Sequence, residues 1–237
     1  MTRVESKAPP VPPPPDNTDL LPSLRHLLRG LACLFWGLPL ALLSCVPSAI
    51  TNWLRPMGVM PAVVSTGLLM FGIVEVAKFR RNEAGWQRAL DRAKIFALLN
   101  LGLAPFIYFA NRMPNEIYYR QMNWAMGVAA VLYIFNLNRS LRQLAVMLPD
   151  QTLREDTELF TSMNQGLMVT LIALVGMYFG LHHVDELPLP VIQFIVVLEE
   201  HRRWLLIFLV LLPVAMTMSL LWKIKEIVLN GIFGRYH

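Results

Sequence analysis

Apolar residues in this chain gather into long runs, and short charged segments separate the runs. Runs of about 17 to 25 apolar residues are long enough to cross a hydrocarbon layer of about 30 Å as helix. Read this way, the pattern predicts six crossings: 31–50, 59–77, 95–110, 124–137, 163–181 and 204–222. The third and fourth are the shortest, and they contain Asn100 and Asn136. The fourth is expected to continue as helix through "RSLRQLAVML" and stop near Pro149. "TLRE" at 152–155 then matches a capping box, a pattern in which two side chains satisfy free amides at a helix start. The predicted fold is an all-α polytopic membrane bundle, residues 23–230, between a tail at 1–22 and another at 231–237. "APPVPPPPD" favours polyproline II, so the first tail is expected to be disordered.

Composition agrees with a membrane class. The chain is 55% hydrophobic and 16% charged, against about 25% charged for an ordinary soluble domain. Charge then orients the bundle. An arrangement with both termini inside puts sixteen Lys and Arg on the inner side, from Arg3 to Arg235. It leaves five outside: Arg55, Arg112, Arg120, Arg202 and Arg203. Positively charged loops stay cytoplasmic, so both termini are expected in the cytoplasm. Trp53, Trp124 and Trp204 fall at the predicted outer boundaries and Trp222 at an inner one, as an interfacial belt requires. Trp86 lies in "FRRNEAGWQRALDR", which reads either as an amphipathic helix on the inner leaflet or as a helical connector. The net charge of +5 flanks the apolar runs, where it meets lipid headgroups, and this argues against a nucleic-acid partner. Arginine far outnumbers lysine, a bias that points to a bacterial inner membrane.

Small residues mark the predicted packing faces. Cys33, Gly37, Ala41, Cys45 and Ala49 recur every fourth position in the first crossing, and Gly176 and Gly180 form a GxxxG pair in the fifth. Helices in lipid associate by close backbone approach, which small residues permit. These faces pack within the subunit, or against a second copy or a partner membrane subunit. The two cysteines are twelve helical residues apart, about 18 Å, which is too far for a disulfide.

Polar residues form a second pattern. Under the six-span topology, Glu75, Asn100, Asn136, Asn138, Asn164 and Gln165 all fall in the cytoplasmic third of the membrane. Such groups are costly unless they face one another or water. They read either as hydrogen bonds between helices, with Glu75 paired to Lys78, or as a polar path open to the cytoplasm. Pro39, Pro105 and Pro213 lie inside crossings and can kink them.

"HHVDE" at 182–186 and "EEHRR" at 199–203 flank an apolar run of twelve residues, about 18 Å as helix, too short to span. That run is expected to form an interfacial or re-entrant helix. His182, His183, Asp185, Glu199, Glu200 and His201 are then the candidate metal ligands, although adjacent histidines diverge on a helix and Arg202 and Arg203 can neutralise the acids. A solvated loop is the favoured reading, and no metal or other cofactor is expected. No HExxH, CxxC, GxSxG, phosphate-loop or GxGxxG pattern occurs. The pattern therefore favours a non-catalytic accessory, scaffold or assembly component. The alternative is a small transporter or channel using the polar residues, and an enzyme on a lipid-like substrate ranks third.

Overall fold

A computed structural model describes residues 20–50, 55–79, 84–147, 151–181 and 209–229, and these are helical with no strand among them. The helices are α1 (Leu20–Ile50), α2 (Met60–Ala77), α3 (Ala84–Arg112), α4 (Ile117–Met147) and α5 (Gln151–Leu181). A sixth, α6, is described over residues 209–229.

Among the described residues, three stretches are long and apolar enough to cross a membrane: Pro22–Cys45, Met60–Ala77 and Gly85–Arg112. They correspond to the first three predicted crossings, with the first and third reaching further toward their N-termini. The predicted fourth and fifth crossings lie inside α4 and α5. The predicted sixth starts before residue 209, so its first residues, like the 182–203 segment and both tails, lie outside the described residues.

Local chemistry accounts for the breaks between helices. After α1, a 3-10 turn at Arg55–Met57 leads to Gly58 at φ 60°, a left-handed conformation that a side chain disfavours. Pro61 then occupies the first turn of α2, where its missing N–H costs no helical bond. Pro114 lies in the short turn joining α3 to α4, which Met113 and Glu116 close by donating backbone N–H to Phe109 and Met113. Pro105 is carried inside α3.

Two parts of the prediction are adjusted. "FRRNEAGWQRALDR" does not form a separate helix: from Ala84 onward it is continuous with α3. Trp86 is fully buried and donates from Nε1 to the Phe79 carbonyl at 3.1 Å, so it anchors the α2–α3 turn instead of an interface. Thr152 lies within α5, which begins at Gln151, so the expected cap falls one residue inside the helix.

The core joins all but one of these helices. Leu27, Leu31, Leu34 and Leu38 of α1 meet Ile73 and Val76 of α2, Leu90 of α3, Leu137, Leu141 and Leu144 of α4, and Leu220, Leu221 and Ile224 of α6. α5 joins chiefly through α4 and α6, with Lys223 over the Phe160 ring at 5.6 Å.

Candidate functional site

In the described core α1 lies close against α2, and glycine makes the approach possible. A Cβ on Gly30 would stand 2.7 Å from the Val76 backbone nitrogen and 2.8 Å from the Gly72 carbonyl oxygen. One on Gly37 would stand 2.8 Å from Leu69, and one on Gly72 would stand 3.1 Å from the Leu34 backbone nitrogen. Further along the seam, the Ser44 and Ser65 hydroxyls hydrogen-bond at 2.7 Å. Of the predicted face, Gly37 sits in the seam, while Cys33, Ala41 and Cys45 are only partly buried. The Ala49 side chain lies outside the described residues, as do the surroundings of Gly180. A Cβ on Gly176 would meet nothing within 4 Å among the described residues. The seam runs through 30, 37 and 44, a spacing of seven, and the four-residue stripe meets it only at Gly37. Gly30 lies one residue before the predicted crossing, which is why that stripe omits it.

At one end of this seam lies Glu75, 4% exposed in the last turn of α2. One carboxylate oxygen accepts from Lys78 Nζ at 2.5 Å, and the other lies 2.6 Å from His26 Nδ1 on α1. A carboxylate near a helix C-terminus meets the negative end of the helix dipole, and the two basic partners offset that. Both partners are about half exposed, so the group reaches the surface of the bundle. One turn beyond His26, Arg29 stands over the Phe71 ring at 5.3 Å. The Lys78 pairing is the expected one; His26 was not anticipated. Its signal was its position one helical turn before Gly30, on the face that continues the seam.

The amides divide into two groups. Asn138 of α4 and Asn164 of α5 both donate from Nδ2 to the Thr217 hydroxyl of α6, at 2.8 and 3.1 Å. Thr217 in turn donates to the Pro213 carbonyl at 2.7 Å. A hydroxyl offers one donor and two acceptor positions, so Thr217 is fully used in joining three helices. Thr217 is fully buried and was missed by sequence, although a threonine four residues after a helix proline is placed for this back-bond. Asn100 and Asn136 instead donate within their own helices, to the carbonyls of Phe96 and Leu132 at 2.8 and 2.7 Å. Gln165 is only partly buried and stands outside the junction. Of the six predicted polar residues, Asn138 and Asn164 share a partner, Glu75 bonds to His26 and Lys78, and Asn100 and Asn136 bond within their own helices.

Oxygens of Tyr133, Thr157, Thr161 and Asn164 are buried with no hydrogen-bond partner among the described residues. Among those residues, too, no three His, Cys, Asp or Glu are grouped as metal ligands. The candidate ligands at 182–201 lie outside them. Comparison with family models, with curated proteins and with solved structures finds no match to this chain.

Proposed function

We propose that the protein is a six-span integral membrane protein, with both termini cytoplasmic, that acts as a non-catalytic accessory, scaffold or assembly component. The observation that carries this reading is the use of its buried polar groups. Asn138 and Asn164 spend donors on a third helix, and Glu75 is held by His26 and Lys78. Groups committed to helix-to-helix bonds stabilise an assembly, while a transported ion or a substrate needs groups left open.

Two surface features support the membrane setting. Trp36, Leu40 and Leu43 form an exposed apolar stripe on α1, and Ile95, Leu98 and Leu99 form another on α3. Such stripes suit lipid and are unfavourable in water. At the α3–α4 turn, Phe106, Phe109, Tyr118 and Tyr119 pack ring against ring, with Phe109 stacked on Tyr119 at 5.6 Å. Aromatic groups of this kind gather where hydrocarbon meets water. The bias of sixteen basic residues to five supports the orientation, and the excess of arginine over lysine a bacterial inner membrane.

Purification in mild detergent, with native mass measurement, tests the scaffold role. A stoichiometric second protein or a defined homo-oligomer is expected. A monodisperse single chain at native expression level overturns the reading. The unpartnered oxygens of Tyr133, Thr157, Thr161 and Asn164 favour a second reading, a small transporter with a polar path. Solute-driven flux in proteoliposomes, lost in a folded Glu75→Gln variant, would establish that reading instead.

A further inference from the structure

Where the start of α3 meets the last turns of α4, the bundle leaves an open groove of about 650 Å³. Its wall on α4 carries Arg139 and Arg142, which a spacing of three places on one helix face. Arg139 is exposed and has no ion-pair partner among the described residues. Arg142 is paired with Glu158 of α5. The opposite wall carries Gly85, in the first turn of a 29-residue helix. A Cβ there would meet nothing within 4 Å among the described residues, so Gly85 leaves this part of the groove open. Two guanidinium groups lining one groove make a site for an anion with several acceptor oxygens.

The rest of the lining says what the anion is attached to. Gln143 also lines the groove. Val146 and Met147 continue the wall as hydrocarbon, with Val146 exposed. We propose that this groove binds the headgroup of an anionic phospholipid. Its phosphate lies against Arg139 and Arg142, and its acyl portion runs along Val146 and Met147. This site is independent of the scaffold role and would stand if that role failed.

The test uses the full chain in neutral detergent, offered phosphatidylglycerol or phosphatidylcholine, with bound lipid counted by native mass spectrometry. Retention of phosphatidylglycerol over phosphatidylcholine is expected. Arg139→Gln should weaken it about tenfold, the loss expected for one charge-assisted hydrogen bond. Arg139→Lys should restore part of it. Glu158→Gln releases Arg142 and should tighten binding, whereas a purely structural Arg142–Glu158 pair would predict weaker binding through loss of fold. Arg88→Gln, an exposed arginine of α3 that does not line the groove, should leave retention unchanged. Equal retention of both lipids, or an Arg139→Gln variant that binds like the parent, overturns the proposal. Displacement of the lipid by inorganic phosphate at comparable concentration also overturns it, because the groove would then read a free anion without its chain.

Discussion

Gly30 and Glu75 are the residues on which the α1–α2 contact depends. A methyl group at Gly30 would press on backbone atoms of α2, which cannot rotate away as a side-chain tip can. Gly30→Ala should therefore destabilise the protein by about 1–3 kcal/mol, the usual cost of overpacking. At Gly102 a Cβ meets open space, so Gly102→Ala should be neutral or stabilise by about 0.5–1 kcal/mol through reduced backbone entropy. Unfolding in detergent, followed by helical signal, compares the two, and equal midpoints would contradict the seam. Glu75 leads to a second expectation. Glu75→Leu leaves His26 and Lys78 without their carboxylate, and the loss should be about 1–2 kcal/mol, moderated because both partners reach solvent. A double variant with His26→Leu should lose less than the two single changes summed. The sequence already identified Gly37 and the Glu75–Lys78 pair, since both follow from spacing within one helix. It could not show Gly30 against Val76 or His26 against Glu75, because the register between two helices is not written in either one.

The bundle ties α4, α5 and α6 together by polar groups as much as by apolar packing. Thr217→Val keeps the shape of the side chain and removes the oxygen that Asn138 and Asn164 share. Two buried amides then lose an acceptor, and a loss of about 2–4 kcal/mol is expected at about 1–2 kcal/mol for each. Adding Asn138→Leu to that variant should cost less than it does in the parent, because its amide then keeps only the Ile134 carbonyl as acceptor. Strict additivity would show that the three groups do not act together. Apolar runs made most of these helices legible beforehand, including the continuation of α4 to Met147 next to Pro149. Asn138 and Asn164 were legible as polar residues in need of partners. Their common partner was not, because an isolated Thr217 in an apolar stretch looks like any small helix residue. Asn100 and Asn136 are bonded differently for a related reason: an amide can bond to the carbonyl one turn back and needs no second helix.

For the whole molecule, the proposed topology has a direct consequence. Arg88 and Asp185 should lie on opposite sides of the membrane. Single cysteines at the two positions, in a background lacking Cys33 and Cys45, should react with an impermeant thiol reagent from opposite faces of sealed vesicles. Labelling of both from one side would exclude six crossings. The three long apolar stretches were legible because each contains an apolar window of 18 residues with at most two charges. α4 was harder to read, since Arg120, Asn123 and Asn136 dilute its apolar character while its length and position in the bundle remain those of the other long helices.

The junction at Thr217 also sets an order in time. The chain is made from its N-terminus, so α4 and α5 exist before the residue that completes them. Until α6 emerges, the amides of Asn138 and Asn164 have no hydroxyl to receive them, and the half-built bundle carries a defect that only its last helix removes. A chain cut short before residue 217 therefore keeps both amides short of an acceptor.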